Sequence, residues 1–378
     1  VTFWRPAYCN RTDVKRALDL EVTAVDDARI DRAIQSVAET IDGHMHRYFY
    51  PVDATCYLDW PNFQMAYPWR YWFDQPGYHD LQVMTSLQSP GGTVIPLSSV
   101  FLEPVNRKQG WPFTRMELDR STTAVWGAGT TPQHSIWAAG TWGWYNPQPA
   151  GTLASSIGSP DTSITISDGS QAGPGDLLVI NPGTAAAPFP SFAGSAGVLG
   201  ALTGERVIVT GKSTAATGLT QSGSGCTTES AADNALSTTG SGTLNLGEVL
   251  LLDQEQMLIT DITGGIATVK RAWNGTVLDS HSSAPVSAYR TLSVLRGQLG
   301  TAAASASSST AISKHFAPGL IRDLNIAEAL NRVMQETSAY ARTVGAGEAA
   351  HPAPGIGLAD LWDEAETVYA RKGRIRAI

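Results

Sequence analysis

Only three cysteines, Cys9, Cys56 and Cys226, occur in 378 residues, far apart and odd in number. They form no disulfide framework, and no C-x-x-C pair offers a zinc site, so synthesis in a reducing compartment is expected. Charge is scarce too: 16% of residues are Asp, Glu, Lys or Arg, and the net charge is −8. That balance argues against a surface built to grip phosphate backbones, which needs clustered cations. No apolar run reaches the roughly eighteen residues that span a bilayer. The opening segment "VTFWRPAYCN" lacks the basic-then-apolar order of a secretory signal. The G-x-S-x-G, H-E-x-x-H and EF-hand patterns are missing as well. These absences point to a soluble protein, not exported by the usual route, without a common hydrolase or metal motif.

What is present changes character along the chain. Thr12 is placed to cap a short helix through Leu18. Asp26 or Asp27 starts a longer one, with Ile30, Ile34, Val37, Ile41, Met45 and Tyr48 at three- to four-residue spacing, ended by Pro51. From Thr55 to Tyr145 the stretches "CYLDW", "LQVMTSL", "VFLEPV", "RMELDR" and "IWAAGTW" alternate like strands between Pro and Gly punctuation. Eight of the eleven tryptophans lie here, so this β region has an aromatic core or aromatic contacts. Residues 146–317 turn to Gly, Ser, Thr and Ala, with Trp273 as their one tryptophan.

Two internal echoes appear in that last region. "GDLLVI" followed by "GERVIVTG" resembles "GEVLLL" followed by "DQEQMLITD". Likewise "TVKRAWNGT" resembles "SVLRGQLGT", which makes Arg271 and Arg296 equivalent. Repeated strand–turn–strand units suggest one or two small β modules inserted into a scaffold, with "STAATGLTQSGSG" and "TAAASASSST" as flexible loops. Helix returns at the end. Asn325 with Glu328 reads as a capping box, followed by a face of Ile326, Leu330, Val333, Thr337, Tyr340 and Val344 up to Gly345. A last helix carries Leu358, Leu361, Trp362, Ala365, Val368 and Tyr369 before the basic tail "ARKGRIRAI". The expected class is α+β. Residues 1–54 and 318–378 form a helical core, 55–150 an aromatic-rich β region, and 151–317 a β-rich insertion with internal repeats. Neither helical end can bury its apolar stripe alone, so the two are expected to pack together.

Candidate chemistry is thin. "VIVTGKST" ends like a phosphate loop, but Arg206 stands where the first glycine is needed. His44 and His46, two apart on a helix, point to different sides and do not share a metal. Asp253 and Glu255 share a strand face and offer two carboxylates for work on a glycosidic bond, although such a pair is ordinarily a solvated face. In "IWAAGTWGWY", Trp142 and Trp144 fall on one face of a strand with Ala138 and Gly140, and Trp137 and Tyr145 on the other. Small neighbours favour packing or a subunit interface over a sugar platform. "YPWRYWF" sets Arg70 between Trp69 and Trp72, a composition enriched in intersubunit contacts. Trp69, Arg70, Trp72, Trp137, Trp142 and Trp144 are therefore candidates for subunit interface or β core.

The blocks "DWPNFQMAYPWRYWFD", "TVIPLSSVFLEPVN", "WPFTRMELD", "TPQHSIWAAGTWGW", "DQEQMLITD…TVKRAWNGTVLDSHSS" and "DLNIAEALNRVMQETSAYARTVGAGE" together resemble the head-to-tail adaptor (connector) proteins of long-tailed phages of actinobacteria. The resemblance runs over nearly the whole chain. It implies a non-enzymatic virion protein without cofactor or metal, made in the host bacterial cytoplasm and placed in the neck. It also implies a dodecameric ring of this chain between the portal and a stopper or other neck protein, through which viral DNA passes without sequence-specific binding. The portal-docking segment implied is the last helix and tail: Leu358, Leu361, Trp362, Val368, Tyr369, Arg371, Lys372, Arg374, Arg376 and Ile378. Other readings remain: a virion-associated glycan-binding protein that uses the β insertion, and a glycan-degrading enzyme that uses Asp253 and Glu255.

Overall fold

A computed structural model describes residues 3–17, 27–59, 69–73, 80–89, 92–105, 111–127, 130–182, 204–223, 225–337, 343–344, 351–352 and 356–370. Among the described residues, strand makes up 38% and helix 23%. The expected α+β class built on a helical core is thereby overturned. The molecule is mostly β, and its four described helices form one layer against it. They are α1 (Arg11–Ala17), α2 (Asp27–Met45), α3 (Gly319–Thr337) and α4 (Ile356–Tyr369). Their apolar stripes are covered by each other and by β structure.

The helices of the two chain ends do share one apolar cluster. Ile30, Ile34, Val37, Ile41 and Met45 of α2 are buried with Ile321, Leu324 and Val333 of α3 and Ala365 of α4, together with Leu177 and Ile208 from the β body. Local details differ from the expected ones. The cap of α1 is Asn10, whose side-chain oxygen accepts the Asp13 N–H (3.0 Å), while the Asp13 carboxylate accepts the Asn10 N–H (3.1 Å). Helix α2 stops at Met45, where His46 takes a left-handed φ of 53°, before Pro51 is reached. Asn325 caps nothing. It is buried inside α3, accepts the N–H groups of Tyr8 (3.3 Å) and Cys9 (3.2 Å), and donates to the Ile34 carbonyl (3.2 Å). Helix α3 ends at Thr337, and Thr343–Val344 pair instead with His351–Pro352; Tyr340 lies outside the described residues.

Residues 51–143 form a two-layer sandwich. One layer is β1 (Pro51–Leu58), β6 (Ile136–Gly143) and β3 (Leu81–Gln88), in the order β1–β6–β3. The other is β2 (Arg70–Trp72), β5 (Arg115–Leu118) and β4 (Val100–Glu103), in the order β2–β5–β4. Alternation sends Leu58, Met84, Leu87, Ile136, Ala138 and Trp142 of the first layer against Tyr71, Val100, Leu102, Met116 and Leu118 of the second.

The rest is two closed six-stranded barrels that share a pair of long strands. The strands are β7 (Pro147–Thr152), β8 (Ser163–Thr165), β9 (Leu177–Ile180), β10 (Glu205–Ser222), β11 (Ala235–Gly240), β12 (Val249–Leu252), β13 (Glu255–Thr263), β14 (Ile266–Lys270), β15 (Pro285–Leu295) and β16 (Ala311–His315). In the proximal barrel the ladder runs β7–β16–β9–β10–β15–β8 and closes through the Leu153–Ile166 bridge. In the distal barrel it runs β10–β15–β12–β13–β14–β11 and returns to β10. In chain order both are laid out alike, with strands three to five in hairpin sequence and the sixth beside the third, a Greek key. The distal barrel is threaded into the hairpin between the fourth and fifth strands of the proximal one. Register shifts at Val209/Gly211 and Ala216/Leu219 mark bulges in β10, and the shift at Ser213/Thr214 marks one in β15; bulges bend a strand and let the pair serve both walls. "STAATGLTQSGSG" is thus largely strand, not flexible loop, since its backbone pairs with β15 and, over Leu219–Ser222, with β11. Each barrel has its own core, Val207, Val209, Leu292 and Ile312 in the proximal, Leu236, Leu250, Met257 and Val286 in the distal.

The proximal barrel carries the other modules. Arg206 donates to the Asp53 carboxylate (3.0 Å) and the Leu299 carbonyl (3.1 Å), which ties it to the sandwich. His315 joins it to the end of the α2 segment: Nε2–H donates to the Phe49 carbonyl (2.8 Å), and Nδ1 accepts the Asn146 N–H (3.3 Å).

Candidate interaction surfaces and the buried carboxylates

The outer face of β2–β5–β4 follows from strand alternation. Tyr71, Met116 and Leu102 point inward, so Arg70, Trp72, Arg115, Glu117, Phe101 and Glu103 point out. Register sets Arg70 and Phe101 beside Glu117, and Trp72 and Glu103 beside Arg115. Arg70 and Arg115 reach Glu117 at 2.8 and 2.9 Å, and the Arg115 guanidinium sits 5.0 Å from the Trp72 ring centre. Arg120 lies 4.5 Å from the Trp69 ring. Trp72 is 43% and Phe101 39% exposed. Exposed ion pairs and cation–π contacts of this kind contribute about 0.5–1 kcal/mol each, enough to orient the rings without burying them.

The outer face of β1–β6–β3 is different. Tyr57 (59% exposed) and Trp137 (43%) meet edge to face at 5.7 Å. The Trp137 indole donates to the His134 carbonyl (2.9 Å), and the His134 N–H donates to exposed Asp59 (3.0 Å). Along the same face Ala139 pairs with Thr55 and Thr141 with Asp53, all small. With Thr85 and Gly140 they line an open hollow of about 400 Å³.

Of the candidate aromatics, Trp142 and Trp144 are core. The Trp142 indole donates to the Ala54 carbonyl (3.1 Å), and its ring meets Phe73 edge-on at 5.4 Å. Gly143 breaks the alternation: its φ of 92° turns the chain, so Trp144 leaves the sandwich for the helical cluster beside Trp111 and Phe49.

Helix α4 turns its rings toward the chain's own core. Tyr369 stacks on Trp111 at 5.6 Å and meets Phe49 and Trp144 edge-on. Trp362 packs on His44 at 5.2 Å, and Leu358 and Leu361 join the same cluster. Val368 stays exposed with Asp360, Asp363 and Glu364. Arg371, Lys372, Arg374, Arg376 and Ile378 lie outside the described residues.

The two acidic residues do not form an open pair. Glu255 is fully buried at the end of the distal barrel, where Arg271 grips it through Nε (2.9 Å) and Nη2 (2.5 Å) and the N–H groups of Ala272 and Asp279 donate to it. Burial alone would raise its pKa. Arg271, the backbone donors and His281 outweigh that and bring it down to about 2. His281 lies between Asp253 (2.8 Å) and Glu255 (3.0 Å). The proximal barrel repeats the arrangement: Arg296 grips Glu205 at 2.6 Å through both nitrogens, and Gly297 and Ala304 donate their N–H groups. Each arginine also donates to three backbone carbonyls. A carboxylate so enclosed closes a barrel end and cannot reach a glycosidic oxygen.

The remaining sequence candidates are structural too. Lys212 of "VIVTGKST" is inside β10 and donates to the Gly169 and Ala172 carbonyls (2.9 Å for Ala172). Trp273, the tryptophan of the insertion, is buried. No group of His, Cys, Asp and Glu among the described residues is arranged to hold a metal, and no described helix is long and apolar enough to cross a membrane. Sequence reasoning missed Tyr57 and His281; alternation along "DATCYL" marks Tyr57 as outward, whereas nothing local marks His281. No family model, no curated protein and no solved structure matches the chain.

Proposed function

We propose that this chain is a structural, non-enzymatic virion subunit, a head-to-tail adaptor that assembles as a ring between portal and neck proteins and leaves a passage for DNA. The observation that carries the reading is the outer face of β2–β5–β4, where half-exposed Trp72 and Phe101 stand among paired arginines and glutamates. Aromatics and arginine displayed together are the mark of a contact surface between proteins. The acid pair that would serve an enzyme is spent on closing a barrel. Portal docking, in this reading, falls to exposed Val368 and the acidic ridge of α4 with the segment 371–378, while Trp362 and Tyr369 hold the helix in place.

Electron microscopy of virion necks labelled with an antibody to this chain tests the proposal, together with co-sedimentation on portal rings. Removal of 371–378 leaves α4 whole and is expected to abolish co-sedimentation without lowering Tm. Label elsewhere than the neck, or no attachment by the full chain, overturns the reading.

A second reading, glycan binding, is favoured by one observation: Trp137 and Tyr57 lie exposed beside Asp59, an aromatic and polar neighbourhood suited to a sugar face. These rings are in the sandwich. The insertion does not offer Trp273, so the insertion-based form of the idea loses its ring.

A further inference from the structure

The two outer faces of the sandwich differ in shape and charge, and they lie on opposite sides of one thin module. We propose that they are the two halves of a single heterologous contact between copies of this chain: the rings of Trp72 and Phe101 on one copy enter the hollow beside Tyr57 and Trp137 on the next. This deepens the ring reading above and rests on it for closure, though the pairing of faces stands on its own geometry.

Three observations commit the site to a second copy. First, position: packing Tyr71, Met116 and Leu102 against Met84, Ala138 and Trp142 forces the remaining residues of each layer outward in opposite directions. A subunit with two unlike, opposed patches joins head to tail, and such contacts generate rings or filaments, not closed pairs. Second, shape. Trp72 and Phe101 project from flanking strands of their sheet, whereas the opposite face falls from the tall Tyr57–Trp137 pair to Thr55, Ala139 and Thr141 around a hollow of about 400 Å³. Third, charge. The projecting face carries Arg70, Arg115 and Arg120 against Glu103 and Glu117, and the opposite face carries exposed Asp59 at the Tyr57–Trp137 end and Asp53, paired with Arg206, in the hollow. Large rings set into a pocket of small residues are the usual anchors of such contacts.

The full-length chain tests this with two variants. Trp72→Ala with Phe101→Ser removes the projection; Thr55→Arg with Ala139→Arg fills the hollow. The wild type is expected to self-associate with rising concentration in sedimentation velocity. Each variant, with its circular dichroism unchanged, is expected to associate about thirtyfold more weakly or more. An equimolar mixture of the two retains one intact pairing and is expected to form a complex of two chains and nothing larger. A wild type that stays monomeric at the highest concentration reached overturns the proposal. So do variants that assemble like it, or a mixture that stays monomeric although the wild type assembles. Neck labelling is scored separately: pairing without neck label sinks the adaptor reading alone, and neck label without pairing sinks this one alone.

Discussion

The two barrels are built to one plan and hold different company. Gly175–Asp176 and Gly247–Glu248 occupy the same turn: both glycines have positive φ (96° and 82°), and both carboxylates accept an N–H three residues back, from Gly173 and Asn245. A cation from the sixth strand reaches each, Lys314 to Asp176 at 2.8 Å and Arg290 to Glu248 at 2.7 Å. The clamps Glu205–Arg296 and Glu255–Arg271 coincide, down to the N–H and carbonyl eight residues after each arginine. What differs is the surroundings. The proximal turn receives the N-terminal segment through Ala7 and Asn10, and its clamp loop meets the sandwich at Asp53. The distal barrel rests on Lys15 through Asn274 (3.1 Å) and on Gly169 through Glu248 (2.7 Å). Features kept in both belong to closing the barrel; most of those found in one belong to that barrel's neighbours, and His281, inside the distal clamp, is an exception.

Breaking the clamps should give the largest effect. Arg271→Ala leaves the buried Glu255 carboxylate with only His281 and two backbone N–H groups, at an expected cost of roughly 3–5 kcal/mol. Hydrogen exchange should show the distal strands opening while β7 and β16 stay protected. Arg296→Ala should expose the whole β body and loosen α3 with it. Equal, global loss from both variants would mean that the barrels do not behave as separate units.

The next effect is acid sensitivity in the proximal barrel. Burial, and secondarily the charge of Arg206, depress His315 from 6.5 to about 4, against the pull of the Phe49 carbonyl. The unfolded chain therefore takes up this proton more readily than the folded one. Stability should fall as pH drops from about 6.5 to about 4, by roughly 3 kcal/mol from this group, and be indifferent to it above 6.5. Urea titrations at stepped pH should lose that slope in His315→Gln; a slope that persists removes His315 as its source. Smallest is His281→Ala, which gives the distal clamp the residue that the proximal one carries at Ala306. With Arg271 and two N–H groups still on Glu255, a loss of about 1–2 kcal/mol is expected. A loss as large as that of Arg271→Ala would show that the histidine holds the clamp.

Much of this was legible in the sequence because periodicity records which side of an element is covered. The Ile30–Met45 stripe, five of the six strands of the sandwich and the equivalence of Arg271 with Arg296 are all plain in the residues. What covers a stripe is not recorded there. Trp362 and Tyr369 read equally well as anchors for a partner or for the chain's own core, and they pack on His44 and Trp111. Asn325 resembles a cap because its spacing to Glu328 is local, while its real partners lie more than 290 residues away. The Ser- and Thr-rich half of β10 resembles a linker because its strand character comes from pairing with β15 and β11, not from its own side chains. For the surfaces, the sequence offered Trp72 and Arg70 but not the opposed hollow, which exists only once two layers are packed.

Threading one barrel through the hairpin of another also sets an order of assembly. Before the distal barrel forms, residues 209 and 294, neighbours in the proximal wall, are the ends of a long floppy segment, and joining them is opposed by the entropy of that segment. Once the distal strands have closed, the same two positions emerge side by side and antiparallel. A closed inner barrel therefore lowers the entropic cost of pairing the two strands of the outer one that carry it.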